Sequence, residues 1–175
     1  MCRLHPTTLG LILLFLAACS GTPRGNGSTA APSGAPPGSL DEALEQIAAG
    51  ERPPGDLEVI YDDMHGLHGG ETITLHGDGT VTAVRREPPD SPQTEHTAQV
   101  SPERVLEIVE LVVDIEGWEQ EVPERVMVPD ESTARLGLRG AGFEGGMWEF
   151  YNDLEGLDRL VRVKRAMEAL AFPAP

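Results

Sequence analysis

The stretch Thr72-Ile73-Thr74-Leu75-His76-Gly77-Asp78-Gly79-Thr80-Val81-Thr82-Ala83-Val84 decides the fold of this chain. Apolar and polar residues alternate on both sides of its central Gly-Asp-Gly segment. Because successive side chains of a strand point to opposite faces, this alternation predicts two strands that each bury one face. Glycine and aspartate are typical of tight turns, so the segment between the strands predicts an antiparallel hairpin.

Patterns on either side of the hairpin predict a helix and a strand before it and a loop after it. Ser39-Leu40-Asp41-Glu42 is typical of a capping box, and apolar residues at helical spacing follow it as far as Gly50. Leu57–Tyr61 is a predicted strand. Residues 87–97 are polar and rich in proline, and we expect them to form a loop.

The second half of the chain is predicted to contain a long helix followed by two strands. Ser101-Pro102-Glu103 combines an N-cap residue, a proline in the first turn and an acidic side chain, and Gly117 ends the apolar periodicity that follows. Residues 133–138 and 147–151 are the two predicted strands.

The last helix is expected to begin at Asn152 or Asp153 and to carry basic residues in its later turns, where the helix dipole favours cations. These residues are Arg159, Arg162, Lys164 and Arg165. Local hairpins followed by helices predict an α+β fold. We expect a mostly antiparallel sheet of about five strands with two main helices packed on one face.

The N-terminal segment looks like the signal peptide of a bacterial lipoprotein. Leu9–Leu16 is an apolar run of signal-peptide length, well short of the roughly 20 residues that span a bilayer. Leu16-Ala17-Ala18-Cys19 resembles a lipobox, in which the cysteine receives a diacylglycerol group. We therefore expect a signal peptide over residues 1–18 and a lipid on Cys19 that anchors the chain to a bacterial membrane. Ser20 follows the cysteine, which by its resemblance to sorting signals favours the outer membrane.

A flexible linker is predicted between the lipidated cysteine and a single domain. Residues 19–39 contain no aliphatic side chain larger than alanine and are rich in Gly, Pro and Ser, as in a tether. Residues 40–175 are long enough for one domain with one core. They hold all 29 acidic residues against 11 basic ones, a net charge of −18. This charge excludes nucleic acid as a partner and favours a solvated surface, a cationic partner or divalent ions.

One segment, residues 62–71, has the composition of a metal site. His65 and His68 have His-x-x-His spacing on a glycine-rich loop, and two imidazole nitrogens at that spacing can bind zinc or copper. His76, or a neighbouring carboxylate, is the expected third ligand. We expect a solvent-exposed connection that holds no cofactor, with this zinc or copper site as the alternative.

Sequence patterns of catalytic sites are absent or incomplete. Residues 140–145 match the Gly-x-Gly-x-x-Gly spacing, but strand-like residues follow where a dinucleotide site needs a helix, so they predict a hairpin turn. Neither a Gly-x-Ser-x-Gly nor a His-Glu-x-x-His motif occurs, and we expect a domain that is not an enzyme. Four aromatic residues are expected in the core or, alternatively, in a binding patch: Trp118, Trp148, Phe150 and Tyr151.

Gly77-Asp78-Gly79-Thr80-Val81, followed by Val100-Ser101-Pro102-Glu103, resembles a family of small envelope domains of unknown function that are often attached to lipoprotein signals. The resemblance covers residues 57–170 and implies the same α+β fold without any catalytic residue. In strand order and in a glycine pair, the chain also resembles small protein inhibitors of metalloproteases.

These patterns together predict an envelope lipoprotein whose domain binds another envelope protein or has a structural role. The alternatives are a metal-binding module at His65 and His68, an enzyme that uses acidic residues, and an inhibitor of a secreted protease.

Replacement of the predicted lipidation site tests the anchor. Cys19→Ala is expected to abolish lipid labelling and to release the protein from the membrane fraction, because no other residue offers the thiol at the cleavage site. Ser20→Ala is the matched control and should keep both properties. Persistent lipid labelling of the Cys19→Ala protein would contradict the prediction.

Overall fold

The structure is a computed structural model that describes residues 36–65, 67–87, 91–121, 126, 128, 131–156 and 158–173. The predicted signal peptide, Cys19 and most of the predicted linker lie outside the described residues. The elements follow in the order α1 (Leu40–Ala48), β1 (Glu58–Asp62), β2 (Gly70–His76), β3 (Thr80–Arg86), β4 (Thr94–Gln99), α2 (Pro102–Asp114), β5 (Thr133–Gly140), β6 (Phe143–Phe150), a 3-10 helix (Tyr151–Gly156) and α3 (Asp158–Ala171).

Six strands of the described chain form one antiparallel sheet in the order β4-β3-β2-β1-β5-β6. The predicted hairpin is confirmed, since β2 pairs with β3 so that Leu75 lies opposite Val81. Asp78 Oδ1 accepts a hydrogen bond from the backbone N–H of Thr80 at 2.8 Å in the turn. Gly79 has φ +86°, and a Cβ there would lie 2.5 Å from the carbonyl oxygen of Val100. This turn therefore needs a glycine.

All three helices pack on the same face of the sheet and enclose one core, which confirms the α+β fold. The alternation predicted from the sequence places the apolar residues of the central strands in this core, and the apolar face of α2 covers part of it. The buried residues from strands and α2 include Val59, Ile73, Leu75, Ala134, Leu136, Leu138, Val105, Val109 and Val112. The three helices are the predicted short first helix and the two main helices, whereas the sheet has six strands rather than about five.

The additional strand, β4, lies where a loop over residues 87–97 was predicted. It is an edge strand that pairs only with β3, and most of its side chains are exposed. An edge strand with both faces largely exposed has no buried side chains to produce alternation, so polar composition alone predicted a loop. His96 is held on the helix side, where its ring contacts that of Phe172 at 5.7 Å.

The prediction for the start of the last helix was wrong. Asn152 and Asp153 lie in the 3-10 helix, and α3 begins at Asp158. The basic residues consequently lie within its first eight residues, with none in its last turn. Arg159 binds instead to the C-terminal end of α2, donating hydrogen bonds to the carbonyl oxygens of Ile115 at 2.8 Å and Glu116 at 2.7 Å. A basic side chain of α3 therefore complements a helix C-terminus, but this terminus belongs to α2 rather than to α3 itself.

Substitution in the buried face of α2 tests the core. Val109 is fully buried, and Val109→Asp is expected to cost several kcal/mol, enough to unfold most of the protein, because the carboxylate would have no partner. Glu110→Asp, on the exposed face of the same helix, should change the free energy of unfolding by less than about 0.5 kcal/mol. Denaturant unfolding measures both. An unchanged midpoint for Val109→Asp would contradict this placement of α2.

Candidate functional site

One end of the sheet gathers the segments that carry polar and exposed apolar side chains. We call it the loop end and define it by residues 62–65, 67–70, 128, 131–133 and 150–151. An open pocket of about 470 Å³ lies there, between the end of β1 and the start of β5. Its lining is mostly polar and consists of Asp62, Met64, His65, Glu131, Ser132, Thr133 and Arg135. The loop end is therefore the part of the described chain in which the predicted histidine segment meets a concave surface.

The structure brings two of the three predicted metal ligands together. The rings of His65 and His68 are stacked with centroids 5.1 Å apart, and Nδ1 of His65 accepts a hydrogen bond from the backbone N–H of Leu67. His76 ends β2, about 20 Å from the start of that strand, and its Nδ1 lies 3.3 Å from a carboxylate oxygen of Glu58. Within the described residues, no group of three or more His, Cys, Asp or Glu side chains is arranged to hold a metal ion. His65 and His68 stay a predicted pair of ligands, and His76 is not near them.

The aromatic residues at this end divide between core and surface. Trp148 and Phe150 pack edge to face with centroids 5.2 Å apart, and Phe150 is buried. The side-chain amide of Gln120 binds both the N–H and the carbonyl of Trp148, and so occupies the outer edge of β6. Trp118 packs against the core. Tyr151, by contrast, is 45 % exposed.

Apolar side chains that are exposed to solvent occur on three segments of the loop end. Leu67, between His65 and His68, is 68 % exposed, and Val128, before β5, is 57 % exposed. The carbonyl of Val128 accepts the backbone N–H of Glu131, and that of Ser132 accepts the N–H of Tyr151. These bonds hold the segments of Val128 and Tyr151 beside β5.

A second feature, a buried cluster of charged side chains, joins this end of the sheet to α3. Its centre is Asp63, whose side chain is completely buried. One carboxylate oxygen accepts hydrogen bonds from the hydroxyl of Tyr61 at 3.0 Å and from Nζ of Lys164 at 2.6 Å. The other accepts the backbone N–H of Glu71 at 2.7 Å. Because groups from β1, β2 and α3 meet on one carboxylate, Asp63 fixes the connection between β1 and β2 under α3.

Gly70 makes room for this carboxylate. It has φ +129°, and a Cβ there would lie 2.4 Å from the carbonyl oxygen of Asp63 and 2.8 Å from its side-chain Oδ1. Residue 70 must therefore be glycine for Glu71 to donate its N–H to Asp63.

The cluster extends from Asp63 to a second buried carboxylate, Glu71. Arg85, which lies opposite Glu71 in the sheet, donates two hydrogen bonds to its Oε2, at 3.0 and 2.6 Å. The Arg85 guanidinium also lies 3.7 Å from a carboxylate oxygen of Glu168 on α3, and 4.0 Å above the ring of Phe172. The cluster is therefore a framework between the sheet and α3.

Burial and neighbouring charges shift several pKa values in this cluster. Burial raises the pKa of Glu71 to about 7, assisted by the Glu168 carboxyl and opposed by Arg85. Burial by itself would lower the pKa of Lys164, but its hydrogen bond to Asp63 and the charges of Asp63 and Glu71 raise it overall. Burial also raises the pKa of Tyr61. Tyr61 and Lys164 therefore keep their protons at neutral pH and act as donors to Asp63.

No protein-family model matches the chain, and no curated protein sequence matches it significantly. The fold and the geometry of its own residues consequently carry the argument about function. No helix within the described residues is long and apolar enough to cross a membrane.

The cluster escaped the sequence analysis although the sequence contains a signal for it. Glu71 and Arg85 continue the alternation of Ile73 and Leu75 and of Val81 and Ala83, so strict period-two spacing places both on the buried face. Charged residues at buried strand positions indicate a pair inside the sheet–helix interface.

Removal of the cation tests the role of Asp63. Lys164→Met is expected to lower the free energy of unfolding by about 2 kcal/mol or more, because Asp63 would keep a buried charge without its ion-pair partner. Arg165→Met, at an exposed position of the same helix, is the control and should change it by less than about 0.5 kcal/mol. Denaturant unfolding at pH 7 compares the two. Equal, small effects would show that Asp63 does not depend on Lys164.

Proposed function

We propose that this protein is a lipid-anchored envelope lipoprotein whose folded domain binds a partner protein through the loop end and catalyses no reaction. The lipobox-like segment ending at Cys19 and the glycine- and proline-rich residues 19–39 support a domain tethered to a bacterial membrane, with the outer membrane favoured by Ser20. The described domain then supplies the binding surface.

The observation that carries the proposal is the exposure of apolar side chains at this one end. Leu67, Val128 and Tyr151 come from three different segments, and each exposes between 45 and 68 % of its surface. Exposed apolar groups beside a polar, concave surface are typical of protein interfaces, which combine apolar contacts with a polar rim. In the proposed complex, these side chains make the apolar contacts and the open pocket beside His65 receives polar groups.

The position of α1 leaves the loop end free for a partner. Residues 36–39 lead directly into α1, and Leu40 at its start packs against Gly145. A Cβ on residue 145 would lie 2.6 Å from the side chain of Leu40. Gly145 lies near the start of β6, about 17 Å along that strand from Phe150 at the loop end. The described chain therefore enters α1 at the end of β6 opposite the loop end.

The charge of the domain defines the chemistry of the partner. Residues 40–175 carry a net charge of −18, so electrostatic attraction favours a protein with a basic surface and accelerates its association. We therefore propose a basic envelope protein as the partner.

Site-specific photo-crosslinking in the native envelope tests this proposal with the full-length lipidated protein. A photoreactive residue at position 67 or at position 151 is expected to yield the same protein adduct. Position 144 is the matched control, because Glu144 is highly exposed but lies at the opposite end of β6. A partner held by charge and apolar contacts should crosslink less at raised salt, and less when Val128→Ser is added.

The outcomes separate the proposal from its alternatives. An adduct that forms at positions 67 and 151, is absent at position 144 and contains a basic protein supports it. Equal labelling at all three positions, or an adduct insensitive to both salt and Val128→Ser, would overturn it.

A further inference from the structure

The buried cluster beneath α3 contains more acidic than basic groups. Three carboxyl groups, those of Asp63, Glu71 and Glu168, share two cations, Arg85 and Lys164. If all five groups are ionised, the cluster has one uncompensated negative charge. Glu168 and Arg85 are partly exposed, but the side chains of Asp63 and Glu71 are buried, so an unbalanced charge is costly at these two carboxyl groups. One additional proton would make the cluster neutral.

The geometry indicates where that proton binds. Oε2 of Glu71 accepts both hydrogen bonds from Arg85, whereas Oε1 is buried, has no hydrogen-bond partner and lies 3.9 Å from Nζ of Lys164. Nη2 of Arg85 lies 2.6 Å from Oε2 of Glu71 and 3.7 Å from Oε1 of Glu168, so one guanidinium nitrogen holds the two carboxyl groups beside each other. Two carboxyl groups can form a hydrogen bond only when one of them is protonated, since carboxylate oxygens are acceptors alone. A proton between them gives the orphaned oxygen a partner.

We propose that Glu71 and Glu168 bind one shared proton that fastens α3 to the sheet, and that release of this proton as the pH rises loosens α3. Glu71 belongs to β2 and Glu168 to the second half of α3, so their contact crosses the interface. After release, two negative charges face each other, and Arg85 remains the cation that contacts both. The cluster thereby makes the docking of α3 depend on pH.

Every element packed around Glu71 contributes a charged or titratable group to this environment. They are Tyr61 on β1, Asp63 after it, Arg85 on β3, His96 on β4, Tyr151 in the 3-10 helix beside Tyr61 and Lys164, and Lys164 and Glu168 on α3. Tyr61, Asp63 and Lys164 satisfy one another through hydrogen bonds. His96 is exposed and contacts Phe172, whose ring also stacks on Arg85. Among these groups, the pair of Glu71 and Glu168 is the one with a buried oxygen, Oε1 of Glu71, that has no hydrogen-bond partner.

The shifted pKa of Glu71 sets the direction and the range of the effect. Burial, together with Glu168, raises it from the ordinary 4.5 to about 7. Since the folded protein holds the proton more tightly than the unfolded chain, the stabilisation is complete below about pH 4.5 and is lost as the pH rises through about 7.

Thermal unfolding of the full chain as a function of pH tests the proposal. Between pH 6 and pH 8 the melting temperature of the natural protein is expected to fall by about 4 °C from this pair. Glu71→Gln and Glu168→Gln each replace the protonated carboxyl by a neutral amide of the same shape, which can donate a hydrogen bond without a titratable proton. Both should flatten the pH dependence and raise the melting temperature at pH 8.

The control is Glu110→Gln on the exposed face of α2, which removes the same charge but should keep the pH dependence of the natural protein. All variants retain the four histidines of the domain, so the difference from the natural protein excludes their titration. Hydrogen exchange adds a local measurement. After correction for intrinsic rates, the amides of α3 should lose more protection between pH 6 and pH 8 than the amides of α2.

Each outcome decides the question. Flattened profiles for Glu71→Gln or Glu168→Gln, with an unchanged profile for Glu110→Gln, support the shared proton. A natural protein whose stability is constant from pH 6 to pH 8 would overturn it. So would a Glu168→Gln protein that keeps the natural slope. If Glu71→Gln fails to fold, the pH profile of Glu168→Gln and the hydrogen exchange of α3 amides in the natural protein still test the shared proton.

Discussion

The carboxylate of Asp63 is the point on which the arrangement of the structure depends. It is fully buried, and its donors come from β1, from the start of β2 and from α3, more than a hundred positions along the chain. A buried carboxylate with any donor missing would be strongly destabilising, so the three segments are held in one relative position. Apolar packing brings α3 onto the sheet, whereas this carboxylate determines its register there.

The buried cluster lies beside the exposed loop that carries His65, Leu67 and His68. Asp62 and Asp63 are neighbours in sequence, but Asp62 lines the open pocket and Asp63 points into the core. The alternation of side chains at the end of β1 thus places a solvent-facing and a buried carboxylate back to back. Binding residues usually lie on surface loops, which vary in sequence and conformation more than the scaffold that positions them. The cluster allows the histidine loop to stay exposed without loosening the strands that carry it.

Much of the fold could be predicted from periodicity, because apolar alternation and helical spacing report directly on burial. The hairpin through Gly79, the face of α2 around Val109 and the inward side of β5 all follow this logic. β4 was not predicted, because an exposed edge strand has no buried face and its sequence therefore lacks apolar alternation. The basic residues of α3 were assigned to its later turns because helix boundaries depend on the 3-10 helix before it, for which the local sequence has no distinctive signal.

The candidate site was harder to predict than the fold, because residue composition does not determine which groups meet. Residue types pointed to the histidines, with a neighbouring carboxylate such as Glu71 only as a possible third metal ligand. The position of Glu71 in the alternation of its strand instead indicates a buried group. Ionisable residues at buried positions of a regular pattern are more informative, since each must find a partner inside the protein. Lys164 has the same property: it lies between Leu160 and Met167 on the buried side of α3.

The distribution of the cations strengthens the argument for a basic partner. Three of the 11 basic residues of the domain are partly buried and bind groups of the domain itself: Arg85 and Lys164 bind the buried carboxylates, and Arg159 binds the end of α2. Buried charges are neutralised there at short distance, and what remains for solvent is largely acidic. The outer surface is therefore more negative than the ratio of acidic to basic residues alone would indicate. The proposed partner would meet that surface, and a basic one would supply positive charge that the surface lacks.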